Sequence, residues 1–399
     1  MDVPSARSEA AARWCWYAVL VALAVWAVAL GFNPRRAGDL RIYLTAAQRF
    51  WRGLDLYPPV DAAWPFKYAP AAAWLFLPLS ALPTRVAAAA WNLGSVAAFA
   101  FAATQWQVTL REDLRFRSAA WVPIATTVVL AQSFFLELFY GQVDLLMLAL
   151  VTWPFTPAGR RYQAWSGVCL AAAILLKPTA IVVLAAPLAL RRYRTLAGFV
   201  AGALALHLPL IARFGSSGAL EQTGAWATTL DRTTAPWVLG YNPQGLPTLL
   251  LNAVYRLDAI PSAAALAIAN VASIVLVVAA ALLVRSSKPA LIAVLCFGAA
   301  FASPLAWRAN FVLAWPLIAT LFSLRAAPAR RTTAIAAVAL VGAVEWLVGE
   351  TVLGPASARA TLAVRPWGTA FLILSVVAVA LFAKGQRLAV SATAPAEPR

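Results

Sequence analysis

Residues 263–284 read AAALAIANVASIVLVVAAALLV, and Arg285 follows at once. A run this long without a charged side chain suits a helix crossing the roughly 30 Å hydrocarbon layer of a bilayer, at about 1.5 Å per residue. The rest of the chain repeats the pattern. Its 399 residues are 62% hydrophobic and only 12% charged, with a mean hydropathy of +0.76. A soluble domain carries about 25% charged residues, so the chain belongs to the membrane class.

Ten helical segments are expected, over 14–31, 86–107, 118–137, 143–158, 195–213, 263–284, 289–303, 309–324, 332–349 and 366–384. Two shorter stretches, 70–82 and the pair 165–176/179–190, are too short to be certain crossings. The expected fold is therefore an all-α integral membrane protein, a polytopic bundle of about 10–13 transmembrane or re-entrant helices. Residues 1–387 read as one domain, and the Ala/Pro-rich tail 388–399 is expected to be disordered. The first apolar stretch follows Arg7 and Arg13 and reads as an uncleaved anchor. The three cysteines lie in apolar segments without metal-ligand spacing.

A net charge of +17 invites a nucleic-acid reading, but the cations sit in loops between apolar segments and report topology instead. Clusters at Arg111/Arg115/Arg117, Arg160/Arg161, Arg191/Arg192/Arg194, Arg285/Lys288, Arg330/Arg331 and Lys384/Arg387 all go to the cytoplasmic side in one consistent topology. The outer face then receives the 32–69 loop, the Tyr140-Gly141-Gln142 turn, a Lys177-Pro178 tip, a large 214–262 loop and the Ser303–Asn310 connection. The first of these carries Arg35, Arg36, Arg41, Arg49, Arg52 and Lys67 against the positive-inside rule. Either an anionic ligand or lipid headgroup binds there, or the loop was translocated regardless of charge.

Polar groups at membrane depth are costly and mark function. Asp39 opens a helix whose apolar side is Leu40, Tyr43, Leu44, Ala47, Phe50 and Trp51, an amphipathic helix suited to the outer membrane surface. Its carboxylate reads as an N-cap, as a general base, or as both. Lys177 lies within some thirty mostly apolar residues and needs an anionic partner. A phosphate is the favoured one, with Asp144 or Glu137 as the internal alternative. Gln142 and Asp144 follow the Gly141 turn. In the last connection, Arg308 either clamps a phosphate or caps the interface, and Trp307 either stacks on a sugar or anchors the interface. The substrate-binding candidates are Tyr43, Tyr68, Gln142, Asp144, Asn242, Gln244, Trp307 and Asn310, with Arg41, Lys177 and Arg308 for an anionic group. His207, inside a span, reads as a packing residue. The chain has no GxxxxGK[ST], HExxH, GxSxG or paired-acid DxD motif, so nucleotide-dependent and serine-hydrolase mechanisms have no support.

Gly38-Asp39-Leu40-Arg41-Ile42-Tyr43, Gly53-Leu54-Asp55-Leu56-Tyr57 and Phe66-Lys67-Tyr68-Ala69-Pro70 resemble the opening of the glycosyltransferase family 87 proteins. These are polyprenol-phosphate-mannose-dependent mannosyltransferases and their relatives. Gly141-Gln142-Val143-Asp144, Leu176-Lys177-Pro178-Thr179 and Ser303-Pro304-Leu305-Ala306-Trp307 follow in the family's order, so the resemblance spans roughly residues 30–325. It implies a GT-C membrane fold, a catalytic aspartate at Asp39, and sugar transfer from a polyprenyl-phosphate donor to a lipid-linked or glycan acceptor. The expected location is the outer face of a bacterial cytoplasmic membrane, with no metal or other cofactor and no nucleic-acid partner. The family often has Asn where Asp144 stands, and usually has histidine shortly after the tryptophan, where this chain reads Arg308-Ala309-Asn310. The alternative readings are a flippase-like lipid or glycan transporter, and a non-catalytic relative that binds polyprenyl phosphate.

Overall fold

The computed structural model describes residues 6–33, 36–61, 64–117 and 119–392. Its regular structure is helical, and one antiparallel bridge pairs Phe116 with Leu324. The chain opens with α1 (Ala6–Phe32) and the short α2 (Gly38–Arg52). A 3₁₀ stretch, Pro70–Phe76, runs into α3 (Leu77–Ser80), and α4 (Thr84–Arg111) carries the chain to the opposite face. It returns through α5 (Val122–Val129) and α6 (Ala131–Tyr140), set at 69° to each other across Leu130. Next come α7 (Asp144–Thr152), α8 (Pro157–Arg161) and α9 (Gln163–Leu176). A 3₁₀ stretch over Pro178–Leu184 leads to α10 (Ala185–Ala189). The long α11 (Tyr193–Val238), α12 (Leu246–Asn252), α13 (Ala263–Leu283) and α14 (Lys288–Phe301) follow. A third 3₁₀ stretch, Arg308–Ala314, enters α15 (Trp315–Phe322). The chain closes with α16 (Pro328–Leu347), α17 (Glu350–Leu353), α18 (Pro355–Ala363) and α19 (Pro366–Ala392).

Among the described residues five helices are long and apolar enough to cross a membrane, or six if the bent α5–α6 pair counts as one span. The chain is thus an all-α, multi-pass membrane protein, as its composition implies. Several expected crossings are nevertheless short. Asp144–Phe155, Lys288–Phe301 and Arg308–Phe322 are apolar helices below span length, as are Gln163–Leu176 and Pro178–Ala189. The apolarity of the first three serves the protein interior, whereas Gln163–Leu176 and Pro178–Ala189 also turn Trp165, Ile181 and Leu188 outward. Every residue of α14 from Pro289 to Phe301 is buried, and a helix apolar all round belongs in a core. By contrast, α13 presents Ile268, Val271, Val275 and Leu283 outward, where lipid is the compatible solvent.

The expected 214–262 loop is instead mostly helix, since α11 continues to Val238 beyond a break at Gly215 (φ 72°, ψ 173°). That conformation is essentially restricted to glycine, and a Cβ there would meet no atom within 4 Å, so backbone geometry alone selects the residue. The distal half of α11 turns back over the first loop. Gln222 Oε1 accepts the Leu56 N–H at 3.0 Å, and the Trp226 indole donates to the Lys67 carbonyl at 2.9 Å.

On α2, Leu40, Tyr43, Leu44, Ala47 and Phe50 are buried as the amphipathic pattern predicts, but Trp51 is 71% exposed. α19 runs to Ala392, past the expected boundary at Arg387, and 393–399 lie outside the described residues, as does Arg35. His207 packs as expected, its Nδ1 sharing a hydrogen bond with the Ala203 carbonyl at 2.7 Å. Within α4, Trp91 and Arg111 are twenty residues apart, a rise of about 30 Å. One end of that interval lies at the polar cluster described next, and the other at the Arg111–Arg117 basic loop.

Candidate functional site

The cluster is assembled where elements end. α6 stops at Gly141, whose φ of 70° provides the left-handed cap, and the N–H groups of Gly141 and Gln142 both donate to the Glu137 carbonyl at 3.0 Å. The Trp91 indole donates to the Gly141 and Gln142 carbonyls at 3.1 Å each, fixing the turn from α4. Against it lies the start of α2. Ala37, also left-handed at φ 58°, donates its N–H to the Phe139 carbonyl at 2.9 Å. Ala37 is therefore the residue that precedes the helix, and Asp39 does not cap it, contrary to one expected role. Asp39 sits within the first turn, where a carboxylate meets the positive end of the helix dipole. It accepts a hydrogen bond from the Gln142 amide.

Behind Gln142, Asp144 begins α7 with its side chain fully buried. Lys177 Nζ donates to both of its oxygens, at 2.7 and 2.6 Å, and Asn310 Nδ2 adds a third bond at 2.8 Å. Lys177 comes from the junction between α9 and the Pro178 3₁₀ stretch, and Asn310 from the 303–310 connection. Here the favoured expectation for Lys177 is corrected: its partner is the internal carboxylate. A carboxylate this buried needs compensation, and the ammonium at the helix break supplies it.

A second wall is aromatic. The Tyr43 and Tyr68 hydroxyls share a hydrogen bond at 2.7 Å, and Tyr57 donates to the Tyr68 carbonyl at 2.7 Å. Trp307 stands edge-on to Tyr140, with ring centroids 5.0 Å apart, and its backbone N–H donates to Asn310 Oδ1 at 3.0 Å. Half-buried Asp39 has its carboxyl pushed up to about 6 by burial, while the charges of Lys177 and Lys67 pull it down. Burial lowers the Lys67 ammonium, and Asp39 works against that shift. The cluster therefore holds a carboxylate ready to take a proton near neutral pH beside two cations.

Four other predicted residues are placed elsewhere or used otherwise. Arg308 lies over the Trp367 ring, its Cζ 4.8 Å from the centroid, on the side of α19. That indole donates to Glu345 Oε1 at 2.9 Å, and Glu345 also accepts from the Ser133 N–H and hydroxyl at 3.0 Å each. Gln244 is fully buried. Its amide donates to the Leu362 and Tyr241 carbonyls, and its oxygen accepts the Gly368 N–H. It ties a loop to the C-terminal helices, a use that its polarity alone does not distinguish from substrate binding. Asn242 and Arg41 are exposed. Two contributors absent from the predicted set are Lys67 and Trp91. Lys67 was visible as a cation within the Phe66–Pro70 run; Trp91, in a helix rich in alanine, gave no signal. Among the described residues no three His, Cys, Asp or Glu side chains are grouped to share a metal ion.

A multi-pass membrane protein with a carboxylate and two lysines gathered at broken helix ends is thus the class that fold and cluster define. The chain belongs to glycosyltransferase family 87, whose model matches residues 66–306. The match contains Lys67, Tyr68, Gln142, Asp144 and Lys177, while Asp39 precedes it and Trp307 and Asn310 follow it. No curated protein matches the chain. Among solved structures the chain is similar to ArnT from Cupriavidus metallidurans bound to undecaprenyl phosphate. The identity is 14% and the TM-score 0.39, over 95% of this chain and 80% of that one.

Proposed function

We propose that this glycosyltransferase moves a sugar, with mannose the first choice, from a polyprenyl-phosphate donor to the hydroxyl of a lipid-linked or glycan acceptor. Family membership supports transfer and sets the transporter reading aside. The observation that carries the reaction is Asp39 itself, half-buried, oriented by Gln142 and flanked by the charges of Lys67 and Lys177. Asp39 accepts the acceptor proton as that oxygen attacks the anomeric carbon. The bond from that carbon to the phosphate oxygen breaks, with inversion, and polyprenyl phosphate leaves with the electron pair.

A phosphate leaves as an anion without being protonated, so one carboxylate suffices, whereas glycosidases generally need a second, acidic carboxyl. Stabilising the departing charge falls to the cations. Lys177 is held by Asp144, while Lys67 takes part in none of the ion pairs among the described residues and is the better placed to receive phosphate. Tyr68 and Trp307 supply aromatic surface for the sugar. The positive-inside pattern supports an outward-facing site in the cytoplasmic membrane of a bacterium. The reading requires no metal.

The test is transfer in nanodiscs from polyprenyl-phosphate-mannose to a native lipid extract. Asp39→Asn should lose about 10²- to 10⁴-fold in rate, the usual worth of a general base. Near-normal transfer by a folded Asp39→Asn protein would end the assignment.

A further inference from the structure

A cavity lies on the face opposite Asp39. It has a volume of about 370 Å³ where the 112–117 loop meets the 324–327 connection and Leu381–Phe382 of α19. The bridge between Phe116 and Leu324 builds its wall, with the Arg117 backbone N–H donating to the Ser323 carbonyl at 2.6 Å and the Arg325 backbone N–H to the Arg115 carbonyl at 2.8 Å. That pairing sets Arg115 and Arg325 together at the rim, and Arg330 joins them from the first turn of α16. Phe116, Leu324 and Phe382 provide an apolar floor.

The charge around this cavity is far from balanced. Segments 111–117, 285–288 and 325–331 bring eight basic residues and two acidic ones. Both acids are already engaged. Glu112 pairs with Arg160 of α8, and Asp113 accepts from Arg115 at 2.8 Å and from Ser287 at 3.0 Å. Arg325 and Arg330 take part in none of the ion pairs among the described residues.

We propose that this cavity binds the phosphate headgroup of an anionic phospholipid, with Arg325 and Arg330 as its principal partners and Arg115 closing the rim. Guanidinium forks match phosphate oxygens in pairs, and basic pockets between membrane helices are suited to such headgroups. The apolar floor favours a lipid over a soluble phosphate, because it gives the first carbons of an acyl chain a surface to cover.

Delipidated full-length protein in a neutral detergent, titrated with phosphatidylglycerol or phosphatidylcholine and read by native mass spectrometry, tests this. Phosphatidylglycerol should bind saturably and more tightly than phosphatidylcholine. The Arg325→Gln/Arg330→Gln protein should bind it about thirtyfold more weakly, about fivefold per charge. An Arg7→Gln/Arg13→Gln protein, losing equal charge from exposed positions at the start of α1, should bind as wild type does. Where the double variant fails to fold, the two single variants carry the test with about fivefold each. Equal binding of the two lipids, wild-type affinity in the Arg325/Arg330 variant, or an equal loss in the control would overturn the proposal. Competition by inorganic phosphate or glycerol phosphate alone, at the affinity of the lipid, would overturn its lipid part and leave a soluble phosphate as the ligand.

Discussion

At the scale of single residues, Asp39 is governed by opposing influences that make its role measurable. Burial raises its carboxyl to about 6, and the Lys67 and Lys177 charges hold it from rising further. A base must be unprotonated, so activity should be present above pH 6 and fall as pH drops through it, approaching about tenfold per unit. Replacing Lys67 by Met removes a lowering influence, so the acid limb of the kcat/KM profile should move to higher pH. A limb that stays in place would mean that Lys67 does not act on Asp39. The polar identity of Asp39, Gln142, Asp144, Lys177 and Asn310 was legible in the sequence because each stands out in apolar surroundings. Their pairing was not. Whether Lys177 meets a phosphate or Asp144 depends on how two helix ends meet, and spacing along the chain carries no such information.

At the scale of elements, the turn after α6 holds the most constraint per residue. Gly141 is left-handed, and a Cβ there would lie 2.9 Å from that of Leu40 on α2. Gly141→Ala should therefore cost about 1–2 kcal/mol from backbone conformation alone, and more from the collision. Because the shift moves Gln142 away from Asp39, transfer should fall even where the protein remains folded, which thermal melting and a rate assay together will show. The boundaries of lipid-facing α13 were legible nearly to the residue, with Arg285 just past its end, whereas α1 begins eight residues before the expected position 14 and α4 runs four residues past the expected 107. The short buried helices were not legible, because apolar residues facing protein read the same as those facing lipid. The distal half of α11 was missed for the converse reason. It carries Glu221, Gln222, Asp231 and Arg232 and reads as a loop, yet packing over Leu56 and Lys67 makes it helix.

For the whole molecule, the twenty residues from Trp91 to Arg111 place the Asp39 cluster and the arginine-rimmed cavity on opposite faces. A membrane-impermeant thiol reagent should label Thr45→Cys from outside intact cells and Ala329→Cys only after lysis. Both substitutions are at exposed positions and belong in a background with exposed Cys15 replaced by Ser. Labelling of both from one side would refute the topology and with it the outward-facing site.

The Asp144–Lys177 pair also has a direction. Asp144 starts α7, so the anion sits at a positive helix end, whereas Lys177 stands between the end of α9 and the start of the Pro178 3₁₀ stretch, where the two backbone ends oppose each other. Exchanging the two as Asp144→Lys/Lys177→Asp keeps their mutual attraction but sets the new ammonium against the start of α7, at a cost of about 0.3–2 kcal/mol. The exchanged protein should melt below the wild type and resist rescue by salt. The start of α7 thus gives the site a polarity, written in peptide groups, that side-chain charge alone cannot restore.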